Sequence, residues 1–89
     1  MGYSPEAIVC IQVDPDEIDE SSDTISELDG VSWVVETTGA YDIFAWITVE
    51  SVEDLGNFLR HKPGSVSGVR RTETFVKLAV KNHSYEVSD

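Results

Sequence analysis

The stretch Val34–Val49, VVETTGAYDIFAWITV, decides the fold, because two apolar runs flank a polar turn over residues 37–42. Gly39 suits this turn because glycine tolerates positive φ. The second run, Ile43–Val49, is apolar at six of its seven positions. A strand with apolar side chains on both faces is buried on both faces, so this run is predicted to lie in the middle of a sheet.

A strand, a helix and a second strand are predicted on the N-terminal side of the turn. Ala7–Val13 is rich in β-branched residues and apolar on both faces, which predicts another central strand. Asp14 at the N-cap and Pro15 at the first helical position predict a helix that stops at Gly30. The strand-like run Val31–Thr37 then leads into the turn.

A second helix and a last strand are predicted on the C-terminal side. Ser51 and Asp54 resemble a capping box in which Asp replaces the usual Glu or Gln, and Pro-Gly at 63–64 ends the helix. The predicted buried stripe of this helix comprises Val52, Leu55, Phe58 and Leu59. Thr72–Lys81 alternates between apolar and charged positions, which is typical of an edge strand.

The resulting order, β-α-β-β-α-β, predicts a ferredoxin-like α+β fold with a four-stranded antiparallel sheet and two helices on one face. Right-handed crossovers place strands one and three in the middle. Residues 1–81 are expected to form this single domain, and residues 82–89 a loose C-terminal tail. Two helices cover only one face of the sheet, so we expect the chain to dimerise through the other. The predicted dimer interface contains Ile8, Cys10, Phe44 and Trp46. The alternative outward set of strand three is Ile43, Ala45 and Ile47.

Charge and composition exclude several classes of protein. Seventeen acidic residues against six basic ones give a net charge of −11, which disfavours direct binding to nucleic acid. The acidic block Asp14–Asp29 is interpreted as a solvated helix face, and adaptation to a salt-rich cytoplasm is the sharper hypothesis. No apolar stretch approaches the roughly 20 residues of a membrane span, and the N-terminus lacks a basic signal region. We therefore expect a cytoplasmic protein without a membrane partner.

The residues that usually carry catalysis or metals are sparse. His61 and His83 lack the spacing of metal ligands, and Cys10 has no second cysteine in a Cys-x-x-Cys motif. Trp33 and Trp46 are interpreted as core or interface residues. The sequence therefore predicts no catalytic residues, no metal and no cofactor.

Two motifs identify a resemblance. Thr38-Gly39-Ala40-Tyr41-Asp42 leads into an apolar strand, and Gly68-Val69-Arg70-Arg71-Thr72-Glu73-Thr74 opens the last one. With this order of elements, residues 7–81 resemble the effector-binding (RAM) domain of the Lrp/AsnC regulators. The resemblance implies a dimer of stacked sheets, octamer-like rings, and an amino-acid-like effector bound between dimers near the turn. Those regulators also carry an N-terminal helix-turn-helix; only six residues precede strand one here, so a stand-alone domain that co-assembles with a full-length relative is expected.

The predicted ligand site comprises Gly39, Ala40, Tyr41, Asp42, Arg71, Thr72 and Thr74. Gly39 would free backbone N–H groups for a carboxylate, and Asp42 would offer its charge to an α-ammonium group. Three structural alternatives remain open: a plain turn, threonines chosen for β-propensity, and arginines paired with acids of a neighbouring subunit. Two alternatives to the effector-sensing function also remain, namely a structural adaptor without a ligand and a small dimeric ferredoxin-like enzyme.

Overall fold

Residues 4–81 are described in the computed structural model, and they form the predicted βαββαβ order. The tail at 82–89, with His83, lies outside the described residues. The elements are β1 (Glu6–Val13), α1 (Ile18–Ser26), β2 (Val31–Glu36), β3 (Ile43–Thr48), α2 (Val52–His61) and β4 (Val69–Val76). Single 3₁₀ turns at Pro15–Glu17 and Pro63–Ser65 precede α1 and follow α2. No helix within residues 4–81 has both the length and the apolarity needed to cross a bilayer.

The sheet has the order β2-β3-β1-β4, with all neighbours antiparallel, so the predicted central position of β1 and β3 is confirmed. Val9 pairs with Ala45 on one side and Thr74 on the other, while Cys10 pairs with Phe44 and Glu73. Because paired residues of antiparallel strands share a face, these registers divide the sheet into two faces. We call the side carrying Val9 the helix face and the side carrying Cys10 the open face.

The hydrophobic core lies between the helix face and the two helices. It is formed by Ala7, Val9, Ile11 and Val13 of β1, Ile43, Ala45 and Ile47 of β3, Ile25 of α1, Leu55 and Phe58 of α2, and Val66. Each large side chain buried here contributes about 1.5–3 kcal/mol relative to exposure. Both helices therefore pack on one face, as predicted, and in this chain no helix covers the open face within residues 4–81.

The first helical segment begins at Asp14 and Pro15, as predicted, but without the expected side-chain cap. Asp14 makes no capping hydrogen bond with its side chain, and one 3₁₀ turn precedes α1. The Asp14 carboxylate lies instead 3.4 Å from the Arg70 guanidinium, an exposed ion pair within the subunit. Its side chain is thus directed toward β4, and its backbone carbonyl accepts the Glu17 N–H at 2.9 Å to close the turn.

The second helix begins as predicted, with one exception in its buried stripe. The Ser51 hydroxyl accepts the Asp54 backbone N–H at 3.0 Å, which confirms the N-cap. Val52, however, is 75% exposed. It precedes the first buried position, Leu55, so the first turn of the helix lies outside the core.

The last strand is an edge strand, as predicted, but its bounds are shifted. It runs over Val69–Val76 rather than Thr72–Lys81. Among residues 4–81 its only neighbour in the sheet is β1, which starts at Glu6, and the Lys77 N–H donates to the Glu6 carbonyl at 2.9 Å. Beyond Lys77 the described part of the chain offers this segment no strand partner. At the other end β4 extends to Val69 because a register shift at Gln12/Val13 keeps it paired with Val13.

Candidate functional site

The predicted ligand-binding turn is an ordered exposed loop between β2 and β3. The Thr37 N–H donates to the Asp42 carbonyl at 2.9 Å, and the Thr37 hydroxyl donates to the Tyr41 carbonyl at 3.1 Å. Gly39 has φ +111°, and a Cβ added there would meet no atom within 4 Å. Backbone conformation rather than crowding therefore requires this glycine. Gly39 and Ala40 are both exposed.

Gly68 of the second motif is favoured by its backbone conformation, and the Glu17 side chain adds crowding. It has φ +90°, and a Cβ at this position would lie 2.7 Å from Oε1 of Glu17. Its carbonyl accepts the Asp14 N–H at 3.0 Å. The glycine thus brings the chain past the start of the first helical segment and into β4.

Asp42 connects the turn to β1. Its Oδ2 accepts the Val13 N–H at 3.0 Å in a partly buried bond, and its own N–H donates to the Ile11 carbonyl at 2.9 Å. Val13 adjoins the point where the β1–β4 register shifts, and β3 begins only at Ile43. The carboxylate therefore supplies the acceptor that a longer β3 would have provided. This structural bond was missed by the sequence analysis, since nothing in the sequence signals a contact 29 residues away.

Tyr41, Arg71 and Glu73 form a cluster on the open face, which we call the Tyr41 cluster. The Tyr41 hydroxyl donates to Oε1 of Glu73 at 2.7 Å, and the guanidinium carbon of Arg71 lies 5.4 Å from the tyrosine ring centroid. Arg71 and Glu73 share this face because they pair with Gln12 and Cys10. The bond to Glu73 and, secondarily, partial desolvation raise the pKa of Tyr41, while the Arg71 charge opposes the shift. The sequence analysis did not include Glu73 in the site, although alternation along β4 places it beside Arg71.

The two threonines of the predicted site lie on the opposite face of the sheet. Thr72 pairs with Ile11 and Thr74 with Val9, whose side chains are in the core. Thr72 is exposed and Thr74 is half-buried. Within one subunit the structure therefore brings Tyr41 and Arg71 together but does not bring the threonines to them.

The predicted interface residues all lie on the open face. They are Ile8 and Cys10 of β1, and Phe44 and Trp46 of β3. The indole rings of Trp33 and Trp46 stack with centroids 5.8 Å apart and planes inclined by 24°. Nε1 of Trp46 donates to Oε1 of Glu6 at 2.9 Å, and Oε2 of the same carboxylate lies 3.3 Å from Nζ of Lys77. Trp33 is 49% exposed, so the open face presents an apolar, partly aromatic surface to solvent.

Cys10 is buried although it belongs to the open face. It is only 3% exposed, and burial, together with the nearby Glu73 charge, raises the pKa of its thiol. A thiol that stays protonated at neutral pH is a poor nucleophile and a poor metal ligand. Nδ1 of His61 lies 3.0 Å from the Asn57 carbonyl at the end of α2. Among residues 4–81 no three His, Cys, Asp or Glu side chains are grouped closely enough to hold a metal ion.

Comparison with known proteins gives one family. The family model for the Lrp/AsnC ligand-binding domain matches residues 6–87. An uncharacterized HTH-type transcriptional regulator of Pyrococcus furiosus is 36% identical over 84 residues, which cover 94% of this chain and 57% of that protein. The chain thus spans little more than half the length of the curated relatives it matches.

Solved structures show the same fold. Escherichia coli AsnC superimposes with a TM-score of 0.85 at 23% identity, over 96% of this chain and 58% of AsnC. A transcriptional regulator of Neisseria meningitidis, solved in complex with L-Met, gives a TM-score of 0.79 at 14% identity. The match covers 94% of this chain and 56% of that regulator. At these identities the likeness establishes the architecture and leaves the ligand of this chain to be argued from its own residues.

Proposed function

The chain belongs to the Lrp/AsnC ligand-binding domain family, and from this premise we propose that it is a cytoplasmic effector-sensing module that oligomerises and binds a small amino-acid-like ligand. In this proposal it acts in transcriptional or metabolic regulation through partner proteins and catalyses no reaction. The curated relatives are named as transcriptional regulators, which supports a regulatory role. The observation that carries the proposal is the open face, whose exposed aromatic surface adjoins the Tyr41 cluster.

The open face supports a homodimer. Trp33, Phe44, Trp46 and Ile8 are all at least partly exposed there, and each large apolar side chain left in water forgoes about 1.5–3 kcal/mol. Stacking two such sheets about a twofold axis buries both apolar surfaces with a single closed contact. A ring of several such dimers is the assembly that we expect from the family resemblance.

The turn and the Tyr41 cluster provide complementary groups for an amino acid. The backbone N–H groups of the exposed residues Gly39 and Ala40 and the guanidinium of Arg71 are donors suited to a carboxylate. Asp42 uses one carboxylate oxygen for Val13, and its charge remains available to an ammonium group. Thr72 and Thr74 face the other way, so they would contact this ligand only from a second subunit. The L-Met complex of the Neisseria relative supports a ligand of this size and chemistry.

A thermal-shift screen against the twenty amino acids, followed by native mass spectrometry, tests the proposal. A ligand at 100-fold its Kd should add about 2.7 kcal/mol to the free energy of unfolding. Asp42→Asn keeps an oxygen acceptor for the Val13 N–H but removes the charge, so it should abolish the shift without unfolding the turn. Glu36→Gln on β2 is the control for loss of an acidic charge elsewhere and should keep the shift. If no amino acid raises the melting temperature, binding of an amino acid is refuted and the structural adaptor becomes the favoured function.

Regulation of transcription would require a DNA-binding partner, because the net charge of −11 opposes direct contact with DNA phosphates. We propose co-assembly with a full-length Lrp-type regulator through the same interfaces. Native mass spectrometry of mixtures tests this directly: mixed oligomers support co-assembly, and strictly separate homo-oligomers refute it.

A further inference from the structure

An open groove lies at the end of β2 and β3 that is opposite to the turn over residues 37–42. It is bounded by α2, residues 48–50 and residues 29–30, and we call it the α2 groove. Its volume of about 400 Å³ is in the range of small-molecule sites. The Thr48 N–H donates to the Gly30 carbonyl at 2.8 Å, which ties the strand side of the groove together. The turn and the Tyr41 cluster contribute no residue to the lining that the structure describes, so the α2 groove is separate from both.

The floor of the α2 groove is apolar. Phe58 is only 6% exposed, and Val49 is half-buried against the same core. Gly30 keeps the space beside them open, because a Cβ there would lie 3.4 Å from Cγ1 of Val49 and 3.5 Å from Cδ2 of Phe58. This floor is suited to the methylene groups of a ligand, which lose their contact with water when they pack on it.

Charged side chains surround the apolar floor. Asp29, Glu50 and Asp54 line the groove and are exposed, and none of their carboxylates forms a hydrogen bond or an ion pair within residues 4–81. These three carboxylates and the ammonium of Lys62, with His61 neutral, give the lining a formal charge of −2. A ligand with two positive charges therefore complements the groove, and the net charge of −11 of the whole chain attracts such a ligand from solution.

The separation of the acidic groups selects the kind of cation. In the part of the chain that the structure describes, no three His, Cys, Asp or Glu side chains converge on a point where a metal ion could bind. A compact divalent ion therefore lacks the ligands that it requires. A cation whose two charges are separated by an aliphatic chain can approach two carboxylates at once and pack its chain on Val49 and Phe58.

We propose that the α2 groove binds a linear aliphatic diamine. Its methylene chain lies on Val49 and Phe58, and its two ammonium groups lie beside the acidic side chains of the rim. The groove is a second site, so this inference does not rest on amino-acid binding at the turn. Asp42→Asn should accordingly bind the diamine as wild type does, even where it has lost its response to an amino acid.

Isothermal titration calorimetry in dilute salt with cadaverine as the probe tests the choice of ligand. Pentylamine has the same chain with one ammonium group, so it should bind about fivefold more weakly, as expected for the loss of one exposed ion pair. Lysine adds a carboxylate to the cadaverine skeleton, and repulsion from the acidic rim should weaken its binding roughly tenfold. Absence of binding at millimolar cadaverine, or equal affinity for cadaverine and either analogue, would overturn the proposal.

Substitutions inside and outside the lining locate the site. Glu50→Gln should weaken cadaverine binding about twofold to fivefold, whereas Glu53→Gln is the matched control and should leave it unchanged. Both residues are exposed acids, and only Glu50 lines the α2 groove. Lys62→Gln should have the opposite effect and tighten binding, because it removes a positive charge from the rim. Equal weakening by Glu50→Gln and Glu53→Gln would indicate diffuse attraction to an acidic surface and refute the site, as would weaker binding by Lys62→Gln.

Discussion

The bond between Asp42 and Val13 predicts how substitutions at Asp42 change the stability of the protein. Asp42→Ala removes the side-chain acceptor of the Val13 N–H, while Val13 itself stays 2% exposed in the core. A buried donor left without a partner costs about 1–3 kcal/mol. Asp42→Asn keeps an oxygen at the same place, so its cost is limited to the difference between a charged and a neutral acceptor, about 1 kcal/mol.

Urea unfolding measures both free energies, and protein concentration is held fixed because the proposed assembly would contribute to the apparent stability. Each kcal/mol also corresponds to about 4–8 °C in melting temperature for a domain of this size. The expected order of stability is wild type, then Asp42→Asn, then Asp42→Ala, with the urea m-value unchanged. An alanine variant within 0.5 kcal/mol of wild type, or an asparagine variant as unstable as the alanine one, would falsify the assignment of Asp42 as an acceptor for β1.

The remaining predictions concern the core, the cluster, the thiol and the charge. Ile47→Ala should cost about 2–5 kcal/mol in urea unfolding, whereas Val52→Ala should change stability by no more than about 0.5 kcal/mol; similar losses would contradict the core assignment. The Tyr41 phenol should titrate above its usual pKa in ultraviolet absorbance, since Glu73 accepts from its protonated form, and the stability from this bond should be lost as pH rises through that raised pKa. Native Cys10 should react with Ellman's reagent far more slowly than in urea; equal rates would show it to be accessible. Because salt screens the net charge of −11, unfolding midpoints should rise between dilute and 1 M NaCl, and a flat response would end the hypothesis of salt adaptation.

The fold could be predicted because the composition of each strand indicates whether it is central or at an edge of the sheet. Ala7–Val13 and Ile43–Val49 are apolar on both faces, and only central strands bury both. The observed order β2-β3-β1-β4 follows from that property together with right-handed crossovers. Alternation separates Phe44 and Trp46 from Ile43, Ala45 and Ile47, but it does not show which set faces the helices. The structure places Phe44 and Trp46 on the open face.

The features that were predicted wrongly depend on partners that are distant in sequence. The end of β4 is set by the start of β1 at Glu6, and the composition of residues 77–81 says nothing about that. Asp14 has the residue type and position of an N-cap, but its carboxylate pairs with Arg70 instead. Val52 fits the helical period and still lies outside the core. In each case the residue types suit the predicted local structure, and contacts with distant parts of the chain set the observed one.

The candidate site shows the same division between local and distant determinants. The sequence identifies the turn, because Gly39 indicates its conformation. It does not show that Tyr41 and Asp42 form hydrogen bonds with other strands of the sheet. Tyr41 reaches β4 through Glu73, and Asp42 reaches β1 through Val13. The turn is therefore held by two strands at once, one central and one at the edge. A ligand that moved the turn would have to disturb the bonds of Tyr41 and Asp42. Glu73, which accepts the Tyr41 bond, pairs with Cys10 on the open face. The proposed ligand site and the proposed dimer face thus share part of one hydrogen-bonded framework, which is the physical reason to expect binding and assembly to be coupled in this chain.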